Sequence, residues 1–342
     1  MLTPVTARWL VHLADPEGVG TPRPSRPLRA TDAKSLLNQA HRHAVLGSVL
    51  RNLDSAQDLG MPSALLAAAT AQHHNDVGFN LVLRKHAHAL QRAIASEKLP
   101  AMLVKGPVFA RQLYPDPGLR RFTDIDLLIH PDAILAIEHI LRDLGFVPAG
   151  KHSPGTVQPE TKWLFRADHM QMVEVQTNLI HAASLRNGMW LSYADLATGD
   201  CDTEFQRPST LMIVAAIHGA GHEFERLQHV ADICQAARRL TGAVEEQRLT
   251  ELLDRSRSRL ATVTGLALAA RMFGELRCLE LANAIGPVQQ AGLARSLMHP
   301  VVVRSSKHWT RPLHSWRRKL FRELLKANPT IRENAERNTP LG

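Results

Sequence analysis

The sequence predicts an α+β fold, in which a small mixed β-sheet with helices on one side is flanked by helical bundles at both ends. Apolar residues recur every three or four positions in the first and last thirds of the chain, which is the period of amphipathic helices. Between these regions, short apolar runs alternate with Gly- and Pro-rich turns, which is typical of strands. We therefore expect an N-terminal loop or linker at 1–30, a helical region at 31–98, an α/β core at 99–207 and a C-terminal helical domain with a basic tail at 208–342.

Helical sequence is expected to fill the region before the first strand. Residues 15–30, DPEGVGTPRPSRPLRA, are dense in Pro and Gly and predict a loop. One helical stretch is expected to begin at Thr31, whose side chain suits an N-cap, and to run through TDAKSLLNQAHRHAVLGSVLRNL. Pro62 begins a second stretch, and Pro100 ends it because proline cannot continue a helix.

The predicted core alternates strands with helices. AMLVKG is an apolar strand that ends at Gly106, and the following PVFARQLY has a helical pattern. The Pro-rich YPDPGLRR is a loop, and FTDIDLLI is a second strand. PDAILAIEHILRDLGF is an amphipathic helix that ends at Gly145, and KWLFRADHMQMVEVQTNL predicts two strands joined by a turn at residues 167–169.

Length, charge and cysteine content are those of a globular protein with anionic partners. The 342 residues suffice for two domains and a sizeable core, and 44% hydrophobic residues is an ordinary fraction. A formal charge of +9 fits nucleotides, nucleic acid or acidic lipid headgroups without choosing among them. The three cysteines are far apart, so neither a disulfide framework nor a thiolate zinc site is indicated. We see no secretory signal and no long apolar run, so we expect a cytoplasmic protein without a membrane partner.

Two aspartates interrupt the second predicted strand. Side chains alternate along a strand, so Asp124 and Asp126 point to one face while the branched residues between and after them point to the core. Burying two like charges side by side is costly unless a cation compensates them. The pair fits a calcium loop, a structural accident at a strand end, or a clamp for the divalent ions of phosphoryl transfer. Calcium fails because Leu128 and Ile129 stand where further loop ligands are needed.

The phosphoryl-transfer interpretation requires a third carboxylate, a phosphate-binding turn and nearby cations. Glu174 lies on the polar face of the last predicted strand, in QMVEVQTNL. Gly106 separates a strand from a helix, where the first N–H groups of that helix are placed to bind phosphate. Positive charge comes from Lys105, Arg120 and Arg121, and we favour Arg121 as the phosphate ligand because it lies nearer the aspartate strand.

The order of strand, glycine, helix, D-x-D strand and separate acidic strand resembles the polymerase-β-like nucleotidyltransferase superfamily. More narrowly, LVKGPVFARQLYPDPGLRRFTDIDLLI is similar to the central motif of an uncharacterised bacterial nucleotidyltransferase family. A later stretch, IHGAGHEFERLQHVADI, matches a histidine-containing helix of that family and adds His218 and His222 as nucleotide-binding candidates.

The resemblance implies an enzyme that moves a nucleoside monophosphate from an NTP to an acceptor hydroxyl and releases pyrophosphate. ATP is the favoured donor, and the expected cofactor is Mg²⁺, or Mn²⁺ in its place, in a two-metal mechanism. The acceptor stays open among a peptide or protein, an RNA and a small molecule. Asp124, Asp126 and Glu174 would be the catalytic and metal-binding residues, with nucleotide contacts from Lys105, Gly106, Arg120, Arg121, His218 and His222.

The chain departs from the family pattern on the third acidic strand. Relatives usually carry an aspartate followed by Leu-His-Trp, whereas EVQT places Glu174 at the acidic position and Gln176 and Thr177 after it. Glutamate is one methylene longer, so a non-catalytic nucleotide-binding or scaffold protein is one alternative. An RNA-directed enzyme, with tRNA as acceptor, is another, because HSWRRKLFRELLKAN is a basic amphipathic helix. That helix also fits docking on its own domain.

Overall fold

The fold is α+β, as predicted from the sequence. The computed structural model describes residues 3–18, 21, 23–54, 60–197, 206–304 and 312–327. Within these residues, a five-stranded mixed sheet lies between helices from both ends of the chain. No helix of this described part is long and apolar enough to cross a membrane.

The sheet brings strands from across the core into one mixed arrangement. Its strands are β1 (Ala101–Val104), β2 (Ile125–Ile129), β3 (Phe146–Pro148), β4 (Glu160–Phe165) and β5 (Asp168–Gln176). Their order is β1-β2-β5-β4-β3, with β2 and β5 parallel and the other neighbours antiparallel. The predicted hairpin of β4 and β5 is confirmed. Because β2 and β5 are parallel, they present their polar positions side by side.

Helices precede, interrupt and follow this sheet. Those before it are α1 (Pro4–Leu13), α2 (Ala30–Arg42), α3 (Leu46–Asp54) and α4 (Ser63–Ser96). Those within the core are α5 (Gly106–Gln112), α6 (Ile134–Asp143) and α7 (Tyr193–Leu196), with 3₁₀ turns at Pro117–Leu119, Pro131–Ala133 and Ala183–Leu185. Those after it are α8 (Pro208–Gly221), α9 (Leu227–Arg239), α10 (Ala243–Ser256), α11 (Arg259–Phe273), α12 (Leu276–Ala284), α13 (Ala291–Leu297), α14 (Pro300–Arg304) and α15 (Pro312–Lys326).

The first helix corrects the prediction that residues 1–30 form only a loop or linker. The α1 helix begins after Thr3, whose side chain accepts a hydrogen bond from the Thr6 backbone N–H at 3.1 Å. Proline at its first position costs no hydrogen bond there. Trp9 and Leu10 are buried in the main apolar core, and this burial holds so short a helix in place.

A second correction concerns the helical stretch predicted from Thr31. It divides into α2 and α3 at Ala44, whose φ of 57° lies in the left-handed region. The cause is a tertiary contact: the buried His43 accepts hydrogen bonds from the first residues of α9, with its backbone oxygen and its Nδ1. The turn between α2 and α3 therefore anchors the C-terminal helices.

Helices cover both faces of β1 and β2, whereas the sequence predicted helices on one side. Leu103 and Leu127 face the apolar core that contains residues of α4 and α6. Met102, Val104 and Leu128 point the other way and belong to the core built by helices from both ends of the chain. The reason is that the apolar residues of these strands occupy both alternating faces, which is the pattern of a sheet buried on two sides. The polar end of the second face borders the candidate site.

A buried ion pair joins the α/β core to α9. The Arg120 guanidinium donates from Nε and from one terminal nitrogen to the two carboxylate oxygens of Asp232, at 2.8 Å each. Tyr114 donates its hydroxyl to the same carboxylate at 2.7 Å. The other terminal nitrogen of Arg120 donates to the Gly106 backbone oxygen at 3.1 Å. Arg120 thus fixes α9 against the turn that begins α5.

The C-terminal helix docks on its own domain, as one of the sequence-based interpretations expected. Phe321, Leu324 and Leu325 of α15 are buried. The α15 backbone approaches Gly188 so closely that an added Cβ there would overlap the Leu325 backbone oxygen. Arg318 is also buried and donates to the Val302 backbone oxygen at 2.8 Å. The end of the predicted basic tail, residues 328–342, lies outside the described residues.

The Arg120–Asp232 pair predicts a large stability difference between two neighbouring arginines. Arg120→Met leaves Asp232 buried without its cation, which should lower the free energy of unfolding by about 3–5 kcal/mol. Arg121→Met is the matched control, because Arg121 is half-buried and its ion pair with Asp76 spans 3.3 Å. That change should cost under about 1 kcal/mol. Chemical denaturation measures both, and similar small losses would contradict a structural role for Arg120.

Candidate active site

A polar cavity of about 830 Å³ lies between the sheet and the α8–α9 helices. Its volume falls in the range of small-molecule sites. The cavity wall includes side chains from the β1–α5 junction, β2, β4, β5, α8 and α9. Every residue that the sequence predicted for the site lines it: Lys105, Gly106, Arg120, Arg121, Asp124, Asp126, Glu174, His218 and His222.

Asp126 and Glu174 are a buried carboxylate pair on neighbouring strands. They are direct partners in the parallel register of β2 and β5, so their side chains share one face of the sheet. Each is less than a tenth exposed. Gln176, on the same face, donates its amide to Asp126 Oδ1 at 2.9 Å and to Glu174 Oε2 at 3.5 Å. Two buried negative charges this close require cations.

Two lysines supply that positive charge. Lys105 Nζ lies 2.6 Å from Asp126 Oδ1, and Lys162 Nζ lies 2.7 Å from Glu174 Oε1. Lys105 is buried, whereas the Lys162 side chain is half exposed. Lys105 also has φ 53° and ψ −131°, a conformation that non-glycine residues rarely adopt and that costs about 1–3 kcal/mol. Backbone strain at a residue that touches a carboxylate is typical of functional sites.

Asp124 immediately precedes β2, whereas the sequence predicted it on the strand itself, and it lines the same cavity. Burial, together with the negative charges of Asp126 and Glu174, raises its pKa from an ordinary 3.8 to about 7. Among the described residues, its carboxylate makes no hydrogen bond or ion pair. Asp124 is therefore the carboxylate of this site whose negative charge is least neutralised by groups of the protein.

Gly106 is required by the close approach of β2. A Cβ at this position would lie 3.1 Å from the Asp124 backbone oxygen and 3.5 Å from the Phe122 ring. A larger residue would therefore require a shift of a few tenths of an ångström between this turn and the residues that precede β2. The backbone oxygen of Gly106 accepts a hydrogen bond from Arg120. The turn is thus held by Arg120 as well as by its contact with the Asp124 backbone.

The two predicted arginines have different environments. Arg120 is buried, and its guanidinium is committed to Asp232 and Gly106, which suits a positioning role. Arg121 is about a third exposed and contacts Asp76 at 3.3 Å and His41 at 3.4 Å. Arg121 therefore keeps more freedom to turn towards an anionic ligand in the cavity.

Three histidines form the opposite wall. The ring centroid of His218 lies 4.9 Å from the centroid of His222 and 4.9 Å from that of His229. The centroids of His222 and His229 lie 5.2 Å apart. Burial lowers the pKa of His218 and of His229 well below the usual value, and neighbouring positive groups add to this. Both rings are therefore neutral at pH 7, so they offer hydrogen bonds and ring faces to a ligand rather than charge.

Sequence analysis missed His181, which the structure brings to the carboxylates. One ligand atom each from Asp126, Glu174 and His181 lie within 4.8 Å of one another, and this group has the donors to hold a metal ion. His181 follows β5 in an irregular segment, so no strand or helix period predicted where its ring would lie. His229 was also missed, although it stands seven residues after His222 in the quoted histidine motif.

This fold and site define a class: an α+β protein whose paired strand carboxylates and basic residues line one nucleotide-sized cavity. The family model described as "Uncharacterised nucleotidyltransferase" matches residues 29–274. The chain therefore belongs to that nucleotidyltransferase family, as the resemblance of its central motif indicated. No curated protein and no solved structure matches the chain.

The raised pKa of Asp124 predicts a pH-dependent stability difference. The folded protein binds a proton at Asp124 up to about pH 7, whereas the unfolded chain releases it near pH 4. Asp124 therefore makes folding less favourable as the pH rises through this interval. Asp124→Asn should melt at a higher temperature than wild type at pH 8 in EDTA, and the gap should shrink at pH 4.5. Asp143→Asn, on the exposed face of α6, is the control, and a gap that does not change with pH would contradict the shift.

Proposed function

We propose that this protein transfers a nucleoside monophosphate from an NTP, with ATP favoured, to an acceptor hydroxyl. The bond between the α-phosphorus and its bridging oxygen to the β-phosphate breaks, and the acceptor oxygen forms a bond to the α-phosphorus. The acceptor hydroxyl loses its proton, and pyrophosphate leaves. The family of the chain supports the transferase class, and the details of donor and acceptor are the proposal.

The observation that carries the proposal is the pairing of Asp126 with Glu174 across parallel strands, on the wall of a cavity that also contains basic residues. Carboxylates that share a face bind the divalent ions that phosphoryl transfer uses. The basic residues would neutralise the triphosphate in the same space. A structural pair of carboxylates would not need a cavity of this size.

The donor set fits a divalent ion. Asp126 and Glu174 belong to a group of ligand atoms that lie within 4.8 Å of one another. Asp126, together with Asp124 on the same cavity wall, would hold two Mg²⁺ or Mn²⁺ ions, and Glu174 would complete the site or accept the proton of the acceptor hydroxyl. Such an ion neutralises charge on the triphosphate and lowers the pKa of a bound hydroxyl. A cation beside Asp124 would also lower the pKa of this carboxyl, because it stabilises the ionised form.

Residues around the carboxylates would bind the nucleotide. The backbone at Gly106 would lie against phosphate oxygens, because the absence of a side chain permits close approach. Lys105 and Arg121 would offset the charge that develops on the phosphates. His218 and His222, across the cavity, would contact the nucleotide through hydrogen bonds and ring faces.

A second candidate function is nucleotide binding without transfer. Lys105 on Asp126 and Lys162 on Glu174 already neutralise these carboxylates, and a site that has lost catalysis would retain such pairs. The strained backbone of Lys105 favours the enzyme, because backbone strain clusters at active sites. The two functions differ in whether label moves from the nucleotide to another molecule.

The proposal predicts transfer of label that depends on the strand aspartates. Purified protein is incubated with each α-³²P-labelled NTP, Mg²⁺ or Mn²⁺, and separate protein, RNA and small-molecule fractions of a lysate. We expect label in one fraction, and Asp124→Asn/Asp126→Asn should reduce the rate by about 100-fold or more, because electrostatic stabilisation is lost. Asp143→Asn, an exposed aspartate of α6, is the matched control and should transfer normally.

Three results would be informative. Label in the RNA fraction would favour the RNA-directed version of the enzyme. Nucleotide binding by calorimetry, with no label in any fraction, would support the non-catalytic candidate instead. Transfer that continues in the double variant would contradict the assignment of the site.

A further inference from the structure

His181 gives the carboxylate pair an imidazole donor. Its Nδ1 lies 2.8 Å from Glu160 Oε2, and a carboxylate accepts hydrogen bonds, so Nδ1 carries the proton. Its Nε2 lies 2.9 Å from Lys105 Nζ, and an ammonium group only donates. Both neighbours therefore assign the tautomer whose Nε2 lone pair faces Lys105 Nζ, which also contacts Asp126. A carboxylate that orients a histidine in this way is the usual second contact of a metal-binding imidazole.

A cation of the protein already occupies this position. The Lys105 ammonium contacts Asp126 Oδ1 at 2.6 Å and His181 Nε2 at 2.9 Å. It thus binds two of the three groups whose ligand atoms lie within 4.8 Å of one another. A lysine ammonium is a compact point charge, and it reaches this place from a strained backbone. The contacts mark where the protein stabilises positive charge.

The side-chain amide of Gln176 is an independent observation that points to a bound ion. Its nitrogen donates to Asp126 and Glu174, which fixes the amide beside the carboxylates. Its Oε1 is buried and has no hydrogen-bond partner in the described part of the chain. Buried oxygen atoms without a partner are uncommon, and an ion or its bound water would satisfy this one.

We propose that Asp126, Glu174 and His181 form a divalent-cation site with one nitrogen donor, which the Lys105 ammonium fills until a metal ion replaces it. The inference deepens the proposed function, on which its catalytic use rests. Imidazole is a poor partner for Mg²⁺, which prefers oxygen, and a good one for transition ions such as Mn²⁺. The site therefore selects Mn²⁺ over Mg²⁺.

Replacement of Lys105 would couple metal binding to nucleotide binding. The displaced ammonium is attached to the turn before Gly106 and lines the same cavity, so it becomes available to the triphosphate. The metal ion then neutralises Asp126, and the lysine neutralises part of the negative charge on the phosphates. The metal ion and the nucleotide would then bind with positive cooperativity, because displacement of Lys105 from Asp126 by one of them favours binding of the other.

The test uses Mn²⁺ alone with the full-length protein, without nucleotide. Binding is measured from the loss of the free-ion signal in electron paramagnetic resonance, and pulsed measurements detect imidazole nitrogen on the bound ion. We expect Mn²⁺ to bind at least about tenfold more tightly than Mg²⁺ in competition. His181→Gln should weaken Mn²⁺ binding by about 10–100-fold and abolish the nitrogen signal. His139→Gln, an exposed histidine of α6, is the matched control.

Lys105→Met tests the second half of the proposal. Removing the competing ammonium should lower the Kd for Mn²⁺, whereas Lys151→Met, in an exposed loop, should leave it unchanged. Weaker Mn²⁺ binding in Lys105→Met would overturn the replacement of lysine by metal. Absence of a nitrogen signal in the wild-type protein would overturn the role of His181, whatever the variants do.

Failure of this inference differs from failure of the proposed function. Nucleotidyl transfer with Mg²⁺ and no nitrogen on bound Mn²⁺ would remove the His181 site and keep the enzyme. A nitrogen-coordinated Mn²⁺ site without transfer of label would keep the metal site and remove the proposed reaction.

Discussion

Compensation of two buried carboxylates is the constraint on which the site depends. Asp126 and Glu174 cannot both stay ionised inside the protein without nearby positive charge. Lys105 meets part of this need at the expense of a strained backbone, and Lys162 meets another part from the surface. Asp124, beside them, is left with a raised pKa. The site thus stabilises positive charge beside its carboxylates, which the proposed metal-dependent reaction would require.

The C-terminal helices contribute side chains to this site. They cover the second face of the sheet and carry the histidines of the opposite cavity wall. Arg120 and Asp232 fix this arrangement, because their buried pair also holds the Gly106 carbonyl. A change in how α9 packs would therefore move the turn that we expect to bind phosphate. The family match extends to residue 274 and so includes α8 and α9, whose residues line the cavity.

Local patterns predicted much of the fold and the carboxylates, and long-range contacts explain the rest. Alternation along β2 placed Asp126 on the polar face, because a strand period of two is a local property, whereas Asp124 precedes the strand. His181 could not be predicted in the same way, since its segment is irregular and only folding brings it to the strands. The same holds for the partner of Arg120, which is more than a hundred residues away in sequence. The α1 helix was missed because its stability comes from burial of Trp9, not from its own propensity.

The most direct measurement is calorimetry of a non-hydrolysable ATP analogue with the wild-type protein, with and without a divalent ion. If the carboxylates exist to hold a cation against a triphosphate, the analogue should bind tightly with Mn²⁺ or Mg²⁺. It should bind poorly in EDTA, where no divalent ion separates the phosphates from the carboxylates. Equal affinity in both conditions would contradict this account, because lysines alone would then suffice. Absence of binding in either condition would show that the cavity serves another ligand.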